Sequence, residues 1–321
     1  MELRVLHHTR YDYQGTVNMA QHLVHLSPLD RPSQTVSSHD LSFEPAPAFR
    51  VDRIDSFGNH QTTITVQAPH ETLDVVADSL VTTRIVPPPS DFEQVTAMTW
   101  ESVQERFRYR LGAPYDPAVE FAFPSPMVPR AEALADFARE VFTPGRPILE
   151  AAVALMTHIH THFAYEPAST DITTPVLQAL EQRKGVCQDF AHIMLGCLRS
   201  LGLPARYVSG YLLTHPKPGQ PRLVGADASH AWVSLHLPSL EPDDATGNAP
   251  HWVDLDPTND RWGYASPGED YVTLAVGRDF SDVSPMRGVI QGGDQHTLDV
   301  GVTVAPPSEW PAADATPPEP A

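Results

Sequence analysis

The sequence predicts an α+β protein in which a strand-rich first part is followed by helices and then an antiparallel sheet. Three observations predict it. The first 90 or so residues carry alternating and β-branched runs. A proline cluster, Val86-Pro87-Pro88-Pro89-Ser90, then interrupts the chain. Beyond it, apolar stripes of helical period between residues 131 and 202 give way to three strand-like segments.

In the first part, Leu3, Val5 and His7 alternate with Arg4, Leu6 and His8, and Thr62-Thr63-Ile64-Thr65-Val66 and Leu73-Asp74-Val75-Val76-Ala77 are β-branched. Asp55-Ser56-Phe57-Gly58-Asn59 reads as the turn between two strands. Residues 1–86 hold no cysteine and no catalytic cluster, and read as a small β-sandwich-like domain. The prolines near 86–90 mark a linker to a second domain over 87–304. In that domain helices are predicted over about 131–142 and about 147–163, the latter with Ile148, Ala151, Ala152, Leu155 and Ile159 on one stripe. A short helix opens at Thr174-Pro175 and closes at Gly185. The next begins at Cys187 and stops at Gly202, with Phe190, Met194, Cys197, Leu198 and Leu201 on its apolar face. Strands are predicted over 205–213, 231–237 and 252–255. Residues 305–321 are rich in Pro and Ala, acidic at Glu309, Asp314 and Glu319, and predict a disordered tail. No internal repeat is present.

Composition narrows the function. Of 321 residues, 41% are hydrophobic, enough for a core, and 33 prolines suit stiff connections in a β-rich chain. The formal charge of −19 comes without any Lys or Arg cluster, which excludes phosphate-backbone binding to nucleic acid. No apolar run approaches the roughly 20 residues of a membrane span. The start, Met1-Glu2-Leu3-Arg4-Val5-Leu6-His7-His8, lacks the apolar stretch of a signal peptide, so a cytoplasmic location is expected. Cys187 and Cys197, on one predicted helix about 15 Å apart, are too distant for a disulfide, which fits a reducing compartment.

Chemistry concentrates in three segments. Lys184-Gly185-Val186-Cys187-Gln188-Asp189-Phe190-Ala191 places a thiol at the first turn of a helix, where the macrodipole and free N–H groups favour a thiolate and can receive an oxyanion. Gly185 is read as permitting a sharp entry into the helix and leaving the sulfur accessible. The alternative for any cysteine is a buried structural role, and Cys197 fits that role. His230 opens the strand in Ala228-Ser229-His230-Ala231-Trp232-Val233, a rigid support for a base. An orienting carboxylate comes from Trp252-Val253-Asp254-Leu255-Asp256, but Asp254 and Asp256 share a face, and periodicity does not choose between them. Among 16 histidines, one near a strand end means little by itself.

Together the three segments, ending in Pro257-Thr258-Asn259, resemble the motifs of the transglutaminase-like superfamily, in the order Cys, His, Asp at intervals of 43 and 26 residues. Phe163-Ala164-Tyr165 resembles the family's lead-in to the nucleophile. Gly277-Arg278-Asp279-Phe280-Ser281-Asp282-Val283 and the turn at 55–59 resemble segments of bacterial transglutaminase-like cysteine proteases that carry an N-terminal β-domain. The resemblance implies a papain-like core, a nucleophile helix packed on an antiparallel sheet, and a triad of Cys187, His230 and Asp256, the last chosen over Asp254 because it directly precedes the Pro-Thr turn. It implies a thioester acyl-enzyme, resolved by water in a peptidase or amidase and by an amine in a cross-linking enzyme. Hydrolysis of a peptide or protein substrate is the expected function. Amine transfer to protein glutamine, an inactive binding module and a zinc site made from the same three residues are the alternatives. The calcium sites and indole oxyanion donor of the animal enzymes do not map onto this chain. Gln188 and Tyr165 are candidate oxyanion helpers.

Remaining features have plainer readings. Trp232 and Trp252 flank the proposed His and Asp as core residues, with lining of the cleft as the alternative. His158 and His162, one turn apart with His160 between, suit a helix C-terminus better than a metal. Asp243-Asp244 lies in a Pro- and Gly-containing loop too poor in ligands for calcium. No cofactor and no metal are expected, and the oligomeric state is not encoded in these patterns.

Overall fold

The computed structural model describes residues 1–112, 115–167, 174–214, 229–238 and 251–311. Five strands come first: β1 Glu2–Val24, β2 Gln34–Glu44, β3 Phe49–Ile54, β4 His60–Val66 and β5 His70–Thr83. The predicted turn at 55–59 joins β3 to β4. Gly58 sits there at φ +86°, and the Asp55 carboxylate accepts the N–H groups of Phe57 and Asn59, each at 2.8 Å.

Helices follow the proline linker: α1 Phe92–Thr96, α2 Trp100–Phe107, a 3-10 turn at Pro117–Ala122, α3 Glu132–Arg139 and α4 Ile148–His162. Next come a two-residue strand β6 Ala164–Tyr165, α5 Val176–Gln182, its parallel partner β7 Lys184–Gly185, and α6 Cys187–Ser200. The helix α5 does not close at Gly185 as expected. Arg183 ends it in the left-handed region at φ 55°, its guanidinium stacked on Phe137 and Phe163 at 4.5 and 5.0 Å. All residues of α6 from 189 to 199 are buried, so its predicted apolar stripe is one side of a helix enclosed all round.

The second sheet is antiparallel throughout, in the order β11-β10-β9-β8-β12, from β8 Ala205–Leu212, β9 Ser229–Leu237, β10 His251–Asp256, β11 Arg261–Tyr264 and β12 Tyr271–Gly277. Alternate residues go to opposite faces. Ala231, Val233, Leu235, Val253 and Leu255 pack on the helices, in one core with Leu155, Ile159, Met194 and Leu198. Trp232 and Val208 face the other way and meet Phe57 of the β3–β4 turn. The β-domain therefore covers the face of this sheet that the helices leave open, with Tyr211, Leu213, Val272 and Leu274 in the same core as Leu3, Val5 and Ile64. This is the papain-like arrangement the resemblance implied, with a strand-rich N-terminal part.

After α7 Phe280–Val283, the chain adds β13 Met286–Gly292 and β14 His296–Ala305. The expected division assigned residues 286–304 to the second domain. Both strands instead pair antiparallel with β1, β14 along Arg4–Tyr13 and β13 along Val17–Val24. The 23-residue β1 thus runs through two halves of one seven-stranded sheet. The first residues assigned to the predicted tail are structured, with Ala305 closing β14. A 3-10 turn at Pro307–Glu309 places Trp310 against the guanidinium of Arg4, 4.3 Å from the ring centre, and residues 312–321 lie outside those described. Among the described residues, no helix is long and apolar enough to cross a membrane.

Candidate active site

Cys187 is the first residue of α6 and is half-buried. Its position depends on Gly185, though not through a special backbone angle. A Cβ on Gly185 would lie 2.5 Å from Asp189 Oδ2, so glycine makes room for that carboxylate. Asp189, at the third helical position, turns back and accepts the Val186 N–H at 2.8 Å, as the acid of a capping box does. Val186 itself is a hydrocarbon with no acceptor to cap the first turn, so the positive end of the helix is presented at the thiol.

His230, near the start of β9, is 9% exposed, and its Nε2–H donates to Asp256 Oδ2 at 2.7 Å. Cys187 is close enough to the same ring to help hold its proton. Burial alone lowers the imidazole, but the hydrogen bonds with Asp256 and Cys187 outweigh it and raise the group to about 10.

Asp256, fully buried at the end of β10, collects five donors. Oδ1 accepts the N–H groups of Thr258 and Asn259 at 2.9 and 3.3 Å, and Oδ2 accepts from His230, from Asn259 Nδ2 at 2.8 Å and from the Tyr271 hydroxyl at 2.7 Å. Burial pushes this carboxyl up, but the bonds from His230, Asn259 and Tyr271 hold it below the usual carboxylate range. Asp254, also fully buried, has other partners. It accepts Trp232 Nε1–H at 3.1 Å and the Ser234 hydroxyl at 2.6 Å. Geometry thus separates two aspartates that periodicity left equivalent.

The remaining candidates divide. Trp232 is fully buried, its ring stacked beneath His230 at 6.0 Å and 29°. Trp252 is packing, edge-on to Phe121 and His236 and under the guanidinium of Arg206 at 3.9 Å. Tyr165, 55% exposed, is close enough to Cys187 that burial and the charge of that sulfur raise its phenol. Gln188, half-buried, follows the thiol on the helix. His158 pairs with Glu140 at 3.1 Å, while His160 and His162 bond the carbonyls of Thr258 and His158. Among the described residues, no group of three or more His, Cys, Asp or Glu is disposed to hold a metal. Asp243-Asp244 lies outside them. Sequence reasoning missed Tyr271, which no local pattern marks, and gave Asn259 no role, although its place three residues after an aspartate in a turn is a signal for a side chain folding back.

A thiol at a helix N-terminus facing a His–Asp pair on an antiparallel sheet defines the papain-like class. Residues 3–82 match the bacterial transglutaminase-like N-terminal region and residues 135–257 the transglutaminase-like superfamily. An uncharacterised protein of Mycobacterium tuberculosis is 37% identical over 305 residues, 94% of this chain and 92% of that one. A second, from Mycobacterium leprae, is 34% identical over 306 residues, 94% and 98% of the two chains. A protein-glutamine gamma-glutamyltransferase of Pseudomonas aeruginosa is 30% identical over 131 residues, 40% of this chain and 18% of that protein. A solved structure from Cytophaga hutchinsonii, described as a proposed cysteine protease, superimposes with a TM-score of 0.69 at 19% identity, covering 97% and 93% of the two chains, a likeness of fold. The chain belongs to the transglutaminase-like superfamily.

Proposed function

We propose that this chain hydrolyses peptide or related amide bonds through a covalent thioester, with Cys187 as nucleophile, His230 as acid and base, and Asp256 orienting the imidazole. The reading rests on one observation: the buried imidazole is hydrogen-bonded to the Asp256 carboxylate and lies close enough to Cys187, at the positive end of α6, for each to act on the other. A protonated imidazole beside a thiol is the arrangement that yields a nucleophilic thiolate.

In the resting pair the Cys187 proton is already on His230, and in the acylation step the thiolate sulfur bonds to the substrate carbonyl carbon. The negative oxygen faces the N–H groups of the first turn of α6, with Gln188 and Tyr165 as further donors beside it. His230 then returns its proton to the departing amine as the C–N bond breaks, leaving the thioester. In deacylation His230 takes a proton from water, the hydroxyl bonds to the carbonyl carbon, and the C–S bond breaks to give the acid and the free thiol.

Likeness to a protein-glutamine gamma-glutamyltransferase over 131 residues favours one second reading, in which an amine takes the place of water at the same thioester. Incubation with a peptide library, acid quenching and mass spectrometry should find an acyl adduct on the peptide bearing Cys187, absent in Cys187→Ala. Adding a primary amine then separates the readings: hydrolysis leaves the acid as main product, transfer gives the amide. If purified Cys187→Ala still cleaves the same peptides, the proposal is rejected.

A further inference from the structure

The β-domain reaches the underside of the site through the connection between β1 and β2. Gln34 fastens that connection to β12: its amide donates to the Leu29 carbonyl at 2.7 Å and the Thr273 carbonyl at 2.9 Å, and its oxygen accepts the Thr273 N–H at 2.7 Å. The register of β12 against β8 slips between Thr273 and Ala275, which makes those backbone groups available. Arg31, in a bridge with Gln34, is thereby inserted between the sheets with 10% of its side chain exposed. It donates to Thr273 Oγ1 at 2.7 Å and lies 3.8 Å from Asp254 Oδ2.

Asp254 is a carboxylate taken wholly out of water, which is costly unless it is hydrogen-bonded and matched by a cation. Trp232 and Ser234 supply the hydrogen bonds, Arg31 an ion-pair partner, and Arg206 a second positive charge close enough for each to affect the other. Of these groups, Trp232 touches the site. One face of its ring lies beneath His230. Tyr271, whose hydroxyl holds Asp256, meets it edge-on at 5.3 Å. The indole braces both His230 and the holder of Asp256, and its own orientation is fixed by the bond to Asp254.

We propose that Arg31 is a positioning residue for His230. By pairing with Asp254 it fixes Trp232, and so the β-domain is part of the apparatus that holds the imidazole against Cys187. This rests on the reading of Cys187, His230 and Asp256 given above.

The test is the rate at which iodoacetamide alkylates Cys187 in the full chain, followed by peptide mass spectrometry from pH 5.5 to 9. His230→Ala serves as reference, and far-UV circular dichroism checks each fold. At about pH 6, Arg31→Met is expected to slow alkylation about tenfold and Arg31→Lys by no more than about threefold, the range of coupling between residues in one network. In Arg31→Met/Asp254→Asn, where the carboxylate needing a cation is gone, most of the rate should return. Trp232→Phe keeps a ring under His230 but cuts the bond to Asp254, so it should reproduce the Arg31→Met profile with Arg31 intact. It decides the matter if Arg31→Met does not fold. A wild-type pH profile in Arg31→Met, or in Trp232→Phe where Arg31→Met is unfolded, overturns the proposal, even with a lowered melting temperature. If His230→Ala also labels like wild type, the triad reading has failed and this one with it. If His230→Ala slows and the Arg31 and Trp232 variants do not, only this one has failed.

Discussion

Cys187 and Cys197 are carried by one helix and differ in everything that governs a thiol's reactivity. Cys187 is half-buried at the first turn, close enough to His230 to help raise its imidazole. Cys197, nearly three turns on, is fully enclosed in the apolar core, and burial pushes its thiol far up. The macrodipole they share fades within a turn of the helix end. The difference teaches that the helix supplies only a direction, and that the neighbouring imidazole and access to solvent set the two thiols apart.

The sharpest way to break this contrast is to label both thiols in the folded protein. At about pH 6, iodoacetamide should modify Cys187 at least roughly a thousandfold faster than Cys197, whose reaction requires an opening of the core. Peptide mass spectrometry reads both sites at once, and a Cys197 adduct appearing first would dissolve the distinction. Next in size is the pair of aspartates. Asp256→Asn should slow acylation of Cys187 by about a hundredfold or more, because the imidazole loses the acceptor that fixes its tautomer. Asp254→Asn still offers an oxygen to Trp232 Nε1 and should cost only a few-fold. Comparable losses, measured as single-turnover acylation rates, would reverse their roles.

A smaller effect follows from His230. Its folded value, about 10, lies above the ordinary 6.5, so the stability it contributes is complete below about pH 6.5 and is lost as pH rises through about 10. Cys187 contributes to the raised imidazole, so Cys187→Ala isolates the share that comes from Asp256. There the Asp256 bond still raises the imidazole. Melting temperature in Cys187→Ala should fall between pH 6.5 and about 7.5, below the ordinary cysteine value of about 8.5 at which Cys197 ionises once unfolded. The slope should flatten in Cys187→Ala/Asp256→Asn, and equal slopes in the two proteins would contradict the pairing. The smallest effect belongs to Cys197. Cys197→Ser puts a hydroxyl into the apolar core, which should cost about 1–3 kcal/mol by denaturant titration and leave the labelling of Cys187 unchanged.

The sequence made the α+β class and the elements of the second domain legible, because stripes such as Ile148-Ala151-Ala152-Leu155-Ile159 and the strand at 252–255 declare their period locally. The chemical order Cys, His, Asp was legible from motifs that are also local. What period two could not do was separate Asp254 from Asp256, since the distinction lies in partners brought from other strands, Tyr271 for one and Trp232 with Ser234 for the other. Gly185 is read from the sequence as allowing a sharp backbone turn, whereas it makes room for Asp189, which approaches only once the helix has formed. The return of β13 and β14 to β1 was invisible for a similar reason. An alternating strand does not specify which edge it will join.

That return has a consequence for the timing of synthesis. Val5 of β1 pairs with Val304, so one edge of β1 waits for a partner made about 300 residues later. At about 5–20 residues per second the wait is on the order of tens of seconds, during which an unpaired strand edge is open to wrong partners. The connection carrying Arg31 leaves the C-terminal end of β1 and docks on Thr273, which is itself made late. Cys187 assembled this way would reach its final geometry only after residues 286–305 have been made, giving the nascent protein a built-in delay. Chains stalled on the ribosome after residue 285 should accordingly remain protease-sensitive within β1, and become resistant once residues 286–305 have emerged.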